Sequence, residues 1–233
     1  MNLEESEELY KETCARYFKW LIRIHSRRLH KPVFITWLTD KTIDESLPYD
    51  NTDKLVLTRM GRIVGAYDYR ILLKYLTKHK KSLPDPVNFI TWLNEVSDME
   101  VISASDYRLE VIEQALEGAG FNKAAIYMSL DFINLFRDYA DMLEDDEPYY
   151  LARTRQIDDL SKFAYDIFWQ EWGHDEVPAI RIPPLITNFK LLNKRMNQMI
   201  DFFTGSIEIL DRETAPVNRK RRILKPLRKG SGR

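Results

Sequence analysis

Apolar residues recur at spacings of three and four through most of the first 204 residues, and prolines and glycines cut that pattern into pieces. A period near 3.6 puts apolar side chains on one face of a helix, so the chain reads as a set of amphipathic helices that must pack on one another. Residues 3–30 form the first expected helix. Tyr10, Cys14, Tyr17, Phe18, Leu21 and Ile22 share a face, the basic residues Arg23, Arg27, Arg28 and Lys31 suit the negative end of the helix dipole, and Pro32 stops it. A second helix is expected from Asp68 as N-cap to about Lys80, with Ile71, Leu72, Tyr75 and Leu76 inward. A third opens at Asp85-Pro86 and runs to about Val96, by the preference for proline at the first helical position. Further helices are expected over 106–117, 122–144 and 156–172, and from Thr187 or Asn188 to about Thr204, with Gly205 closing the last.

Little of the chain alternates with the period of two that marks a strand. Residues 33–38 fit a strand or a short helix. Leu55-Val56-Leu57 and Ile63-Val64 around Gly61 suggest a small hairpin, and residues 206–210 a short strand. The expected class is mainly α with minor β. The expected organisation is a helical body over 1–172, a proline-rich extended strap over 173–186, a C-terminal helix and short strand over 187–214, and a basic arm over 215–233. The strap, GHDEVPAIRIPPLI, holds three prolines and cannot be helical throughout. The pentapeptide Phe-Ile-Thr-Trp-Leu occurs at 34–38 and again at 89–93. The flanking residues do not continue the match, which favours coincidence over a repeat.

Charge is distributed unevenly. Of 35 basic residues, eight fall in 215–233: Arg219, Lys220, Arg221, Arg222, Lys225, Arg228, Lys229 and Arg233. No acidic residue accompanies them, so the other 214 residues hold 27 basic against 36 acidic groups, a net charge of −9. A terminal block of one sign reads as an interaction arm, aimed at a neighbouring subunit or at double-stranded DNA. No aromatic residue is interleaved in it for stacking on single-stranded bases. No run of about 18 apolar residues exists, which argues against a membrane span. The opening MNLEESEELYKE is acidic, unlike a secretory signal, and the one cysteine, Cys14, has no partner for an internal disulfide.

Motifs that carry chemistry are sparse. There is no G-x-G-x-x-G and no G-x-x-x-x-G-K-[ST] to cradle phosphates, and no G-x-S-x-G elbow. His25 and His30 are five apart and fall on different helical faces, so they lack the spacing of a metal-binding pair. Polar groups around His174, from Glu171 to Glu176, and the carboxylates Asp138, Asp141 and Asp145, at i, i+3 and i+7, are the two places where a metal-dependent enzyme would keep a cation. A polar helix end and a solvated acidic face explain the same residues. No cofactor is expected, and the expected function is not enzymatic.

One segment, Ala119-Gly120-Phe121-Asn122-Lys123-Ala124-Ala125-Ile126-Tyr127, resembles the turn and second helix of a helix-turn-helix, as in repressors and phage small terminase subunits. Gly120 allows the tight turn, Asn122 can cap the second helix, and Ile126 would pack on the first. The resemblance implies Lys123 and Tyr127 facing a DNA groove. It departs from the pattern at Leu116 and Ser129, and acidic residues from Asp131 to Glu147 oppose phosphates nearby. The reading that gathers most of these features is a structural subunit of a large homo-oligomeric assembly. Head-to-tail adaptor or neck proteins of tailed phages, helical bodies with long arms, are similar in style. Such a protein would reside in the virion after assembly in the host cytoplasm, contacting copies of itself and other assembly proteins, with double-stranded DNA a further candidate partner of the basic tail. The alternatives are a cytoplasmic DNA-binding protein of the helix-turn-helix type and a small metal-dependent enzyme.

Overall fold

A computed structural model of the chain describes residues 3–43, 52–99, 104–143, 145–171 and 182–210. Among these residues lie eight α-helices and six strands. In chain order they are α1 (Leu3–Tyr17), β1 (Lys19–His25), β2 (Val33–Thr39), β3 (Asp53–Leu55), β4 (Ile63–Gly65), α2 (Tyr69–His79) with a 3-10 turn (Lys80–Ser82), and α3 (Pro86–Ser97). Then follow β5 (Ser105–Arg108), α4 (Leu109–Gln114) running into a π-turn (Ala115–Ala119), α5 (Lys123–Asp141), α6 (Asp146–Leu151), α7 (Arg155–Glu171), α8 (Phe189–Gly205) and β6 (Ile207–Ile209). Helices carry most of the chain, as the periodicity indicates.

The strands nonetheless occupy the centre. A four-stranded sheet has the order β3-β2-β1-β5, with β5 parallel to β1 and the other pairs antiparallel. A second, two-stranded sheet joins β4 and β6 in parallel. It hangs on β2 through an antiparallel bridge between Phe34 and Ala66. Alternation along β1 and β2 divides the core in two. Ile22, Ile24, Val33 and Ile35 face one way, into a cluster with residues of α4, α5, α7 and α8. Leu21 and Leu38 face the other way, into a cluster built with α1, α2 and α3. The arrangement is three-layered: α1, α2 and α3 on one face of the sheet, α4 to α8 on the other.

The helix expected over 3–30 is therefore two elements. Phe18 sits at φ +54°, which reverses the chain after α1. From Lys19 successive side chains turn to opposite, covered faces, and the β-branched Ile22 and Ile24 pair with Ile35 and Val33 across the sheet. Leu21 and Ile22, which fit a helical face with Tyr17 and Phe18, lie on opposite faces of a strand. The helix expected over 106–117 is likewise split. Residues 105–108 form β5, because their backbone completes the open edge of β1, and α4 begins at Leu109. Residues 33–38 resolve as strand.

Other expectations stand close to the structure. Asp68 caps α2, accepting from the Arg70 N–H at 2.9 Å. Asn188, rather than Thr187, caps α8. Gly61, at φ +73°, turns the chain between Leu57 and Ile63, which form an antiparallel bridge. α8 and β6 are built into the body: Met196, Met199, Ile200 and Phe203 lie in the main core and β6 pairs with β4. The strap is described from residue 182, where it runs without helix or strand to 188. Residues 173–181 and the whole arm over 215–233 lie outside the described residues.

Candidate interaction surface

The helix-turn-helix look-alike folds as a packing corner. Gly118 and Gly120 take φ of +110° and +80°, conformations that favour glycine, and turn the chain between α4 and α5. Asn122 caps α5, accepting from the Ala125 N–H at 2.9 Å. Ile126 and Leu130 are buried in a small cluster with Ala164 and Ile167 of α7. Tyr127 is half-buried there, its ring edge-on to Phe168 at 6.4 Å. Lys123 lies over the Tyr127 ring at 5.6 Å. Ten residues of α5 are buried, and the helix packs against α4, α6, α7, β3 and β5. A helix held in this way along its length is an interior helix.

The acidic series that the sequence offered as a cation site is occupied by structural partners. Asp138 accepts from the Trp37 indole N–H at 2.9 Å, pinning α5 to β2. Asp141 accepts from Arg153 at 2.7 Å. Asp145 caps α6, accepting from the Glu147 N–H. Among the described residues no group of three or more His, Cys, Asp and Glu side chains is arranged to hold a metal ion. His25 and Arg23 converge on Asp106 at 2.9 and 2.6 Å, and these donors hold the Asp106 carboxyl at about 2, below the ordinary carboxylate range. Cys14 is fully buried on the inner face of α1, where burial pushes its thiol up and away from the reactive thiolate. No described helix is long and apolar enough to cross a membrane.

Charge sorts instead by surface. In the α1–α2–α3 layer, α3 packs against both α1 and α2 and lies between them. α1 is the acidic flank, with Glu4, Glu5, Glu8 and Glu12 exposed. α2 and its 3-10 turn form the basic flank. Arg70, Lys74, Lys78 and Lys81 are exposed, and no acidic residue occurs from Tyr69 to Pro84. The acidic flank is hidden when 3–30 reads as one helix, and the basic flank lies on the helix expected from Asp68 to about Lys80. The signal was present in the 4, 4, 3 spacing of the four basic residues. Between α6 and α8 a shallow cleft is lined by Glu147, Tyr150, Arg195, Asp201 and Phe202, groups of both signs that hold no convergent constellation.

No family model matches the chain, and no curated protein matches it significantly. Among solved structures, the SatS C-terminal domain in complex with bromine is similar in fold, with a TM-score of 0.53 at 15% identity, over 84% of this chain and 96% of that chain. At that identity the likeness is one of fold alone.

Proposed function

We propose that this protein is a non-enzymatic subunit of a homo-oligomeric assembly, in which residues 215–233 dock on the acidic body of a neighbouring copy. The carrying observation is the charge partition: eight basic and no acidic residues in that segment, against a net −9 in the rest of the chain. Opposite charges on two parts of one chain favour association between copies and orient the encounter. The metal-enzyme reading is weaker, because Asp138, Asp141 and Asp145 are engaged by Trp37, Arg153 and the start of α6. The helix-turn-helix reading is weaker because α5 is surrounded by other elements. The finer form of the proposal is a head-to-tail adaptor or neck component of a virion.

The test replaces Arg219, Lys220, Arg221 and Arg222 by Gln and compares the mass in solution with the unmodified chain at low salt. The proposal expects a smaller species. Unchanged mass would overturn it. Unchanged mass with lost duplex-DNA binding would assign the arm to nucleic acid.

A further inference from the structure

The two flanks of the α1–α2–α3 layer match each other in pitch as well as in sign. Glu4, Glu8 and Glu12 follow one another at i, i+4 and i+8 along α1. Arg70, Lys74 and Lys78 do the same along α2, and Lys81 continues the line through the 3-10 turn. Residues four apart rise about 6 Å and rotate by about 40°, so each set forms a shallow spiral of the same hand and spacing. Tyr10, Cys14 and Thr13 turn to the core on α1, as do Leu72, Leu73 and Leu76 on α2, so both spirals point to solvent. None of these seven charged side chains forms an ion pair with another described residue, and all seven are exposed. Lys11 stands on the α1 face beside Glu4 and Glu8 and leaves that face net negative. Leu9 is exposed beside Glu5 and Glu8 and adds an apolar contact.

We infer that the basic face of α2 docks on the acidic face of α1 of a second copy of this chain. The occupant follows from complementarity: the chain itself supplies carboxylates at the pitch of the α2 cations. A nucleic acid fits less well, because the net −9 of residues 1–214 repels phosphates approaching the body. The contact joins two different surfaces on either side of α3, so it closes either reciprocally, as a two-fold dimer, or head to tail. Run head to tail, one contact leaves a free α1 flank on one copy and a free α2 flank on the other, and the contact repeats until the rotation closes a ring or continues as a filament. Exposed ion pairs are individually weak and salt-screened, so this face sets register and orientation, and repetition around a closed assembly supplies strength. The inference rests on the self-assembly proposed above and names a surface for it that is independent of residues 215–233.

The experiment uses the full chain with two charge reversals. One carries Glu4→Lys, Glu8→Lys and Glu12→Lys; the other carries Arg70→Glu, Lys74→Glu and Lys78→Glu. Circular dichroism checks folding, and milder Gln substitutions at the same positions stand in if a reversal unfolds the chain. Sedimentation velocity at about 0.05 M salt, where screening extends over more than 10 Å, reads association. Each reversed chain alone is expected to associate at least tenfold more weakly than the unmodified chain. An equimolar mixture of the two is expected to associate again, because each then offers the face that the other lacks. Wild-type association by both reversed chains overturns the inference, and so does a mixture no larger than its components. Wild-type association with loss of duplex-DNA binding in the α2 reversal also overturns it, in favour of nucleic acid. If only the arm substitutions lower the mass, the arm-docking proposal stands and this one falls; if only the reversals do, the converse holds.

Discussion

Lys19 and Asp85 form a fully buried ion pair, and breaking it should destabilise the protein more than any exposed change. Lys19 Nζ lies 2.7 Å from Asp85 Oδ2 and 3.0 Å from the Tyr17 carbonyl oxygen, with side-chain exposures of 0% and 2%. Asn88 donates to both Asp85 carboxylate oxygens at 3.1 Å. The pair ties the reversal at Phe18 to the first turn of α3, where Asp85 itself takes φ +47°. Removing one partner of such a pair leaves an uncompensated charge without water, at a cost of about 3–5 kcal/mol. Lys19→Met keeps the volume of the stem. Asp85→Asn keeps a residue that tolerates the left-handed conformation. Each single change should lower stability by about 3–5 kcal/mol, a large part of the 5–15 kcal/mol typical of a domain. At about 2–4 °C per kcal/mol for a chain of this size, the melting temperature should fall by about 6–20 °C. The double variant removes both charges and should be more stable than either single one. Urea unfolding at pH 7, followed by circular dichroism, measures all three. Single losses below about 1 kcal/mol, or a double loss equal to the sum of the singles, would show that the pair does not act as described.

Three further outcomes follow from the same geometry. Gly65→Ala should destabilise the chain by about 1–3 kcal/mol in urea unfolding, because an added Cβ would lie 2.6 Å from Ile207 Cγ2 and 2.7 Å from Val33 Cγ1; an unchanged midpoint would mean that β4 does not run this close to β2 and β6. Cys14 should resist an aromatic disulfide reagent in the native state and react fully once denaturant unfolds the chain; prompt native labelling would contradict its burial. Asp106 has a folded pKa of about 2 against an ordinary 3.8, so its contribution is present above the higher value and lost as pH falls through the lower one. Asp106→Asn should therefore flatten the loss of stability between about pH 4 and pH 2, and an acid limb identical to wild type would count against the Arg23 and His25 contacts.

The repeated pentapeptide shows how far such a sequence can be read. Phe34-Ile35-Thr36-Trp37-Leu38 is strand, with Ile35 and Trp37 toward one core and Phe34 and Leu38 toward the other. Phe89-Ile90-Thr91-Trp92-Leu93 is helix, with Phe89, Trp92 and Leu93 buried on one face. Five residues of this kind satisfy both periods, and only their setting decides. Asp85-Pro86 opens the second copy as a helix, whereas β1 and β3 on either side draw the first into a sheet. The capped helices α2, α5 and α8, and α7 with its long apolar stripe, were legible for that reason. β1 and β5 were not, because their identity depends on partners 83 residues apart, Ile22 opposite Ser105, and no local spacing carries that pairing. The charge partition of the candidate interface was legible at 215–233 as a block. The α1 and α2 flanks were written at helical spacing, and became visible once α1 was seen to end at Tyr17 and α3 to separate the two.

The central claim is that copies of this chain associate through opposite charges, and its mass in solution across salt concentrations tests that most directly. Sedimentation velocity of the unmodified full chain should show an oligomer at about 0.05 M salt that shifts toward monomer at about 1 M, where the screening length falls to about 3 Å. A monomer at both concentrations, or an oligomer whose size does not respond to salt, would contradict the account.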